Sequence, residues 1–306
     1  VTAKSIVAVT GGTGFVGQAL IERAREAGIA IAALARRPQA ESDGVRWVPG
    51  DLADRAALMR MVDGAEAVIH VAGVVNTPDP AGFEAGNVEG TLAVIEAALA
   101  AGVPRLVFVS SLSAREPGLS AYGKSKARAE KLVRASGLDW TIVRPPTIYG
   151  PGDKDVFELF RAARWGVIPT PKEGSSSLIH VDDLARLLLA LIPGGEDVTH
   201  RSFEPDDGKR GGWTHYELAR AIGWAVGRRP RVLGLSRRTM EWAAKADGMF
   251  RGAKARLTLD RVGYMTHPDW VVSHGARVPG KVWRPRIETR EGLKATAQWY
   301  RDRRWL

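Results

Sequence analysis

Gly11-Gly12-Thr13-Gly14-Phe15-Val16-Gly17 follows the apolar run Ile6-Val7-Ala8-Val9 and leads into residues 18–27, whose spacing reads as a helix. Strand, glycine turn and helix in that order present backbone N–H groups and the positive end of a helix dipole to a pyrophosphate. Glycines at 11, 14 and 17 allow the tight turn, the close approach of phosphate and the packing of helix on strand. Gly11, Thr13, Gly14, Phe15, Val16 and Gly17 are therefore the expected phosphate cradle. A glycine turn alone carries little; set in a strand–helix unit, it marks a dinucleotide site.

Outward from that turn the alternation continues. Strands are expected at 6–10, 29–35, 45–49, 67–71, 106–110 and 140–143, with helices at 18–27, 56–62, 88–101 and 122–135. Strands apolar on both faces and joined by helices imply an α/β fold, a doubly wound parallel sheet of Rossmann type. Residues 1–150 form the expected dinucleotide-binding domain, with 175–195 returning to it. Residues 151–174 and 196–306 form a smaller, mostly helical substrate lobe. In that lobe helices are expected near 155–165, 216–226, 239–250 and 291–303, and a carboxylate of Asp182-Asp183 is placed to cap a helix at 184–192.

Apolar and charged fractions of 45% and 25% over 306 residues fit an ordinary soluble protein with a large core. There is no cysteine, which excludes disulfides and thiolate chemistry. No leader is visible before Ile6, and the apolar stretch 187–192 is too short to span a bilayer, so a cytoplasmic protein is expected. Six histidines show no zinc-type spacing, and no metal site is expected. The net charge of +10 is unevenly placed: residues 201–306 carry 23 Lys/Arg against 11 Asp/Glu, a balance of +12, and seven of the ten tryptophans. Such a surface suits anionic lipid headgroups, hence a peripheral contact with the inner membrane surface. A solvated basic face explains the same numbers. No nucleic-acid module accompanies the charge, and no nucleic acid is expected as partner.

Tyr122 and Lys126 stand four residues apart and so share one helical face. A neighbouring ammonium favours phenolate, which suits Tyr122 to proton exchange near neutral pH. Ser111, just past a strand, ends at the same carboxyl edge, where its hydroxyl can bond a substrate oxygen. Past the second strand stand Arg36 and Arg37, where a carboxylate would select a free ribose hydroxyl. Two guanidinium groups suit a 2′-phosphate, so NADP(H) is expected over NAD(H).

These motifs together resemble the extended short-chain dehydrogenases/reductases of the NAD-dependent epimerase/dehydratase type. The likeness is carried by the glycine turn, Asp51-Leu52, His70-Val71-Ala72-Gly73, Asn87-Val88-Glu89-Gly90-Thr91, Ser110-Ser111, Tyr122 with Lys126, Arg144-Pro145-Pro146 and His180-Val181-Asp182-Asp183. It covers the first 195 residues well and the rest loosely. The resemblance implies that Ser111 orients a carbonyl, Tyr122 donates the proton, and Lys126 tunes Tyr122 and binds the nicotinamide ribose. It further implies that Asp51 and Leu52 contact the adenine, that Val71, Ala72, Gly73 and Pro145 line the cofactor, and that Asn87 supports a proton relay. A dimer through helices 88–101 and 122–135 is likewise implied.

Nucleotide-sugar relatives typically carry an Asn before Tyr-Gly-Pro and an Arg-Asp pair before His-Val-Asp-Asp. Here Thr147-Ile148 and Ser176-Ser177-Leu178-Ile179 occupy those stretches. The segment Pro145–Asp153 is more similar to the 3β-hydroxysteroid dehydrogenase and lipid-ketone reductase branches, 3-ketoceramide reductase among them. The expectation is an NADPH-dependent reductase of a hydrophobic, lipid or sterol-like ketone. A nucleotide-sugar epimerase or dehydratase and a catalytically silent NADP-binding scaffold are the alternatives. Phe157, Phe160 and Trp165 are candidates for an acyl entrance, with packing on the lobe as the other reading. Trp299-Tyr300 to Trp305 are candidates for a membrane-surface tail.

Overall fold

β1 (Ile6–Thr10) runs into the glycine turn and α1 (Phe15–Glu26), as the opening stretch predicts. β2 (Ala30–Ala35), β3 (Val45–Pro49), α2 (Arg55–Val62) and β4 (Ala65–His70) follow. A single turn, α3 (Ala81–Phe83), and a π-helical stretch, Glu84–Glu89, lead into α4 (Gly90–Ala100). Next come β5 (Arg105–Val109), a 3-10 turn at Leu112–Arg115, α5 (Ala121–Ala135) and β6 (Asp139–Val143). The chain continues through β7 (Thr147–Tyr149), α6 (Phe157–Trp165), β8 (Val167–Pro171), β9 (Ser175–Ser176), β10 (Leu178–His180), α7 (Val181–Ala190) and β11 (Arg201–Phe203). It ends with β12 (Trp213–Thr214), α8 (His215–Ala225), β13 (Arg231–Leu235), α9 (Arg237–Arg251), α10 (Leu259–Met265), β14 (Asp269–Trp270) and α11 (Thr289–Asp302). This computed structural model describes residues 6–77, 79–252, 255 and 257–306; residues 1–5, on which the reading of a missing leader rests, lie outside them.

The chain divides into two units. The first holds residues 6–144, Leu184–Glu204 and Val278–Arg284. Its seven strands form one parallel sheet in the order β11-β6-β5-β4-β1-β2-β3. The order reverses between β1 and β4, and the carboxyl ends of strands at such a switch point are where doubly wound sheets bind ligands. All five residues of β5 are buried, as are four of β1 and four of β4, because helices cover both faces. Arg105, 4% exposed, reaches Asp139, Thr141 and the carbonyl of Leu191, which satisfies its guanidinium inside the protein.

The second unit holds Pro145–Asp183, Pro205–Arg277 and Pro285–Leu306. The sequence boundaries therefore differ: the first unit ends at Arg144 rather than 150, and the return runs through Leu184–Glu204 rather than 175–195. Besides helices, this unit contains three small sheets, β7/β10, β8/β13 and β12/β9/β14. Strands of two to five residues are too short for their alternation to be read.

Phe160 is fully buried and Phe157 packs edge-on against Tyr300 and Trp305, so the α6 stripe is core, and only Trp165 of the three is exposed. Trp299, Tyr300 and Trp305 form one aromatic cluster, in which Tyr300 is fully buried and donates its hydroxyl to the Asp153 carbonyl while Trp305 stays 36% exposed. The expected cap on α7 also differs. Asp183 lies inside that helix and instead accepts the backbone N–H groups of Arg286 and Ile287.

Candidate active site

Gly11 adopts a left-handed backbone, φ +74°, and a Cβ there would lie 2.7 Å from the Ala72 nitrogen. A Cβ on Gly17 would lie 2.1 Å from the Gly11 carbonyl oxygen. These two glycines thus close the turn onto β4 and onto α1. Gly14 is different: it is exposed, its imaginary Cβ meets only the Gly11 oxygen, at 3.3 Å, and it offers α1 no side-chain cap. The first N–H groups of α1 are left for an external acceptor, and the cradle that Thr13, Gly14, Phe15 and Val16 surround fits a dinucleotide pyrophosphate.

A buried polar chain fixes the neighbouring strand ends. The Ala72 N–H donates to Thr10 Oγ1, which lies 2.6 Å from His70 Nδ1, and His70 Nε2 lies 3.0 Å from Thr91 Oγ1. Thr91 donates its hydroxyl to the Asn87 carbonyl, so it must accept from the ring. His70 is therefore neutral with its proton on Nε2; burial, reinforced by Lys126, pushes it down to about 3. This chain holds Val71, Ala72 and Gly73 beside the glycine turn.

Asn87 lies in the π-helical stretch, and its side chain is fully engaged. Oδ1 accepts the Val74 N–H at 2.7 Å, while Nδ2 donates to the Val74 carbonyl and to Ser125 Oγ. Ser125 in turn donates to the Tyr122 carbonyl at 2.7 Å. Asn87 thus ties the segment after β4 to the first turn of α5, where Tyr122 sits with its ring 6.0 Å from that of Phe83. A π-bulge gives the extra residue that turns this side chain inward.

Ser120 caps α5, and Gly123 lets that helix press on the 3-10 turn, since a Cβ there would lie 2.7 Å from the Ser113 carbonyl oxygen. In the same turn Ser111 Oγ accepts both the N–H and the hydroxyl of Ser113. With both lone pairs taken, the Ser111 proton is left to donate to a substrate oxygen.

Lys126 is 3% exposed, and its Nζ donates to the Val109 carbonyl at 2.8 Å, above the face of Phe108. Burial pulls its ammonium down to about 8, against the opposing pull of Glu130. A Cβ on Gly73 would stand 3.6 Å from that nitrogen, so a glycine keeps the approach to Lys126 open.

Sequence reasoning passed over Glu130. It accepts a two-pronged pair from Arg144, at 2.7 and 2.6 Å, and the Ser110 hydroxyl at 2.7 Å. These contacts lower its carboxyl pKa despite burial. They clamp the ends of β5 and β6 to α5. The available signal was its place as the one carboxylate of α5, a turn past Lys126.

Arg36 and Arg37 are exposed at the end of β2 and form no ion pair among the described residues. Asp51 uses Oδ1 to accept the N–H groups of Ala53 and Asp54, and Leu52 packs on the core. Pro145 is buried at the start of the second unit. Ser111, Tyr122, Lys126 and Asn87 all belong to the first unit.

Residues 7–203 match the NAD dependent epimerase/dehydratase family. A ceramide reductase of Caulobacter vibrioides is 36% identical over 99% of this chain and 97% of its own length. A 2-alkyl-3-oxoalkanoate reductase of Stenotrophomonas maltophilia is 36% identical over 61% of this chain and 66% of its own. Among solved structures, MoeE5 in complex with UDP-glucose and NAD superposes with a TM-score of 0.76 at 24% identity, covering 98% of this chain and 99% of that one, and shows the shared fold. The chain belongs to the NAD dependent epimerase/dehydratase family and is an NAD(P)-dependent oxidoreductase of the extended short-chain dehydrogenase/reductase type.

Proposed function

We propose that this enzyme reduces a ketone on a hydrophobic, lipid-type substrate, using NADPH. The observation that carries the reading is the Ser111–Tyr122–Lys126 set, read beside full-length similarity to a ceramide reductase. When bound in the glycine cradle, the dinucleotide supplies a hydride to the carbonyl carbon. Ser111 donates its uncommitted proton as a hydrogen bond to the carbonyl oxygen, polarising it. Tyr122 then gives its phenolic proton to the forming alkoxide, so ketone, hydride and proton yield the alcohol. Lys126 favours the resulting phenolate by its charge, and Asn87 and Ser125 hold the turn that carries Tyr122.

Arg36 and Arg37 support the phosphorylated cofactor, because two guanidinium groups at the end of β2, with no ion pair among the described residues, match a 2′-phosphate. Ser177 speaks against a nucleotide-sugar substrate. Where sugar enzymes would present a charged side chain, this serine is fully buried, donates to Asp206 and accepts from the Val272 N–H. Oxidation of NADPH on addition of a long-chain ketone in mixed micelles tests the reading. Wild-type turnover with loss of at least about 100-fold in Tyr122→Phe is expected. Equal turnover in that variant rejects the assigned acid. Conversion of UDP-glucose with no net cofactor consumption favours the epimerase alternative.

A further inference from the structure

The second unit carries a helix with apolar residues on both faces. α9 turns Met240 and Ala244 inward against Val262 of α10. Its opposite face presents Trp242, Met249 and Phe250, which are 74%, 78% and 83% exposed. Positions 242, 249 and 250 fall on one side of a helix, and 240 and 244 on the other. Large exposed side chains grouped in this way mark an interaction surface rather than scatter.

Charge says what covers it. Arg238 and Lys245 share the outward side with the aromatic residues; Lys245 lies 5.5 Å from the Trp242 ring, and Arg238 forms no ion pair among the described residues. The acidic residues of α9 are engaged elsewhere, Glu241 with Arg237 and Asp247 with Arg251 and the Leu257 N–H. A second copy packed on this side of α9 about a twofold axis would bring two such cationic faces together, which repel. A bilayer of anionic lipid suits both features at once, with indole and phenyl rings at the headgroup level and cations on phosphate.

We infer that α9 is a membrane-surface anchor, seating Trp242, Met249 and Phe250 in the headgroup region of an anionic bilayer while Arg238 and Lys245 bind lipid phosphate. The inference goes beyond the proposed reaction and does not depend on which ketone is reduced. Within residues 201–306, from which a membrane contact is expected, it assigns that contact to α9.

The test is cosedimentation of the full chain with vesicles of phosphatidylcholine and phosphatidylglycerol, or of phosphatidylcholine alone. Two double variants are compared, Trp242→Ala with Phe250→Ala, and Arg238→Glu with Lys245→Glu. All changed side chains are exposed, and a melting curve and NADPH affinity matching wild type verify the fold. Binding to the anionic vesicles is expected in wild type, weakened at high salt, and lowered about tenfold or more in either variant. Wild-type binding in both variants, or none in wild type, overturns the inference. So does a dimer broken by the aromatic variant whose vesicle binding is unaltered. Loss of ketone turnover with vesicle binding intact would strike the proposed reaction and leave the anchor standing.

Discussion

Lys126 Nζ donates to the Val109 carbonyl oxygen at 2.8 Å, from a site where the side chain is 3% exposed. One hydrogen of the ammonium is thereby spent on the end of β5, which aims the remaining two. The lysine that we propose tunes Tyr122 is held by the same strand that leads to Ser111.

Burial brings Lys126 down to about 8, so its ammonium loses its proton as pH rises through that value. The charge that favours phenolate is present below and absent above. For ketone reduction, kcat/KM is expected to fall above pH about 8, close to tenfold per unit. A pH–rate profile with saturating NADPH checks this. A profile flat to pH 10 (roughly the free-lysine value) would detach Lys126 from the chemistry.

Glu130 is the acidic neighbour that opposes the drop in Lys126. Glu130→Gln removes that charge, and the alkaline limb is expected to move to lower pH than in wild type. The same change leaves Arg144 without its two-pronged partner, which costs about 3 kcal/mol of stability. Urea denaturation reads the loss, and an unmoved limb in a folded variant would reduce Glu130 to a purely structural clamp.

Two glycines of one turn should fail differently. Gly17→Ala sets a methyl 2.1 Å from the Gly11 carbonyl oxygen and should destabilise the protein by roughly 1–3 kcal/mol. Gly14→Ala meets only that oxygen, at 3.3 Å, and should fold as wild type while losing NADPH affinity. Thermal melts and cofactor titration separate the two; undiminished affinity in Gly14→Ala would remove the phosphates from this cradle.

Arg36→Asp exchanges the proposed partner of a 2′-phosphate for a group that suits a ribose hydroxyl. NADPH affinity is expected to drop about tenfold or more and the NADPH/NADH preference to invert or vanish. Fluorescence titration with both cofactors measures it, and an unchanged preference would place the 2′-phosphate elsewhere.

The sequence by itself determined the glycine turn, the parallel sheet and the Tyr122–Lys126 pair. Each depends on backbone conformation or on the pitch of one helix, and such local geometry is legible in a short run of residues. Only the tertiary structure decided what distant segments do to one another. It made Asn87 a fully bonded tether, since Val74 and Ser125 reach it from other elements. It also made Glu130 the clamp of two strands. Helical periodicity identified the apolar face of α6 but could not say whether that face meets a substrate or a core, and Tyr300 and Trp305 settled it by packing against Phe157. In α9 the same periodicity could not tell which apolar residues would find partners. Met240 and Ala244 found α10, and Trp242, Met249 and Phe250 were left facing out. An apolar side chain carries its preference for burial in the sequence, but the surface that buries it comes from residues elsewhere in the chain.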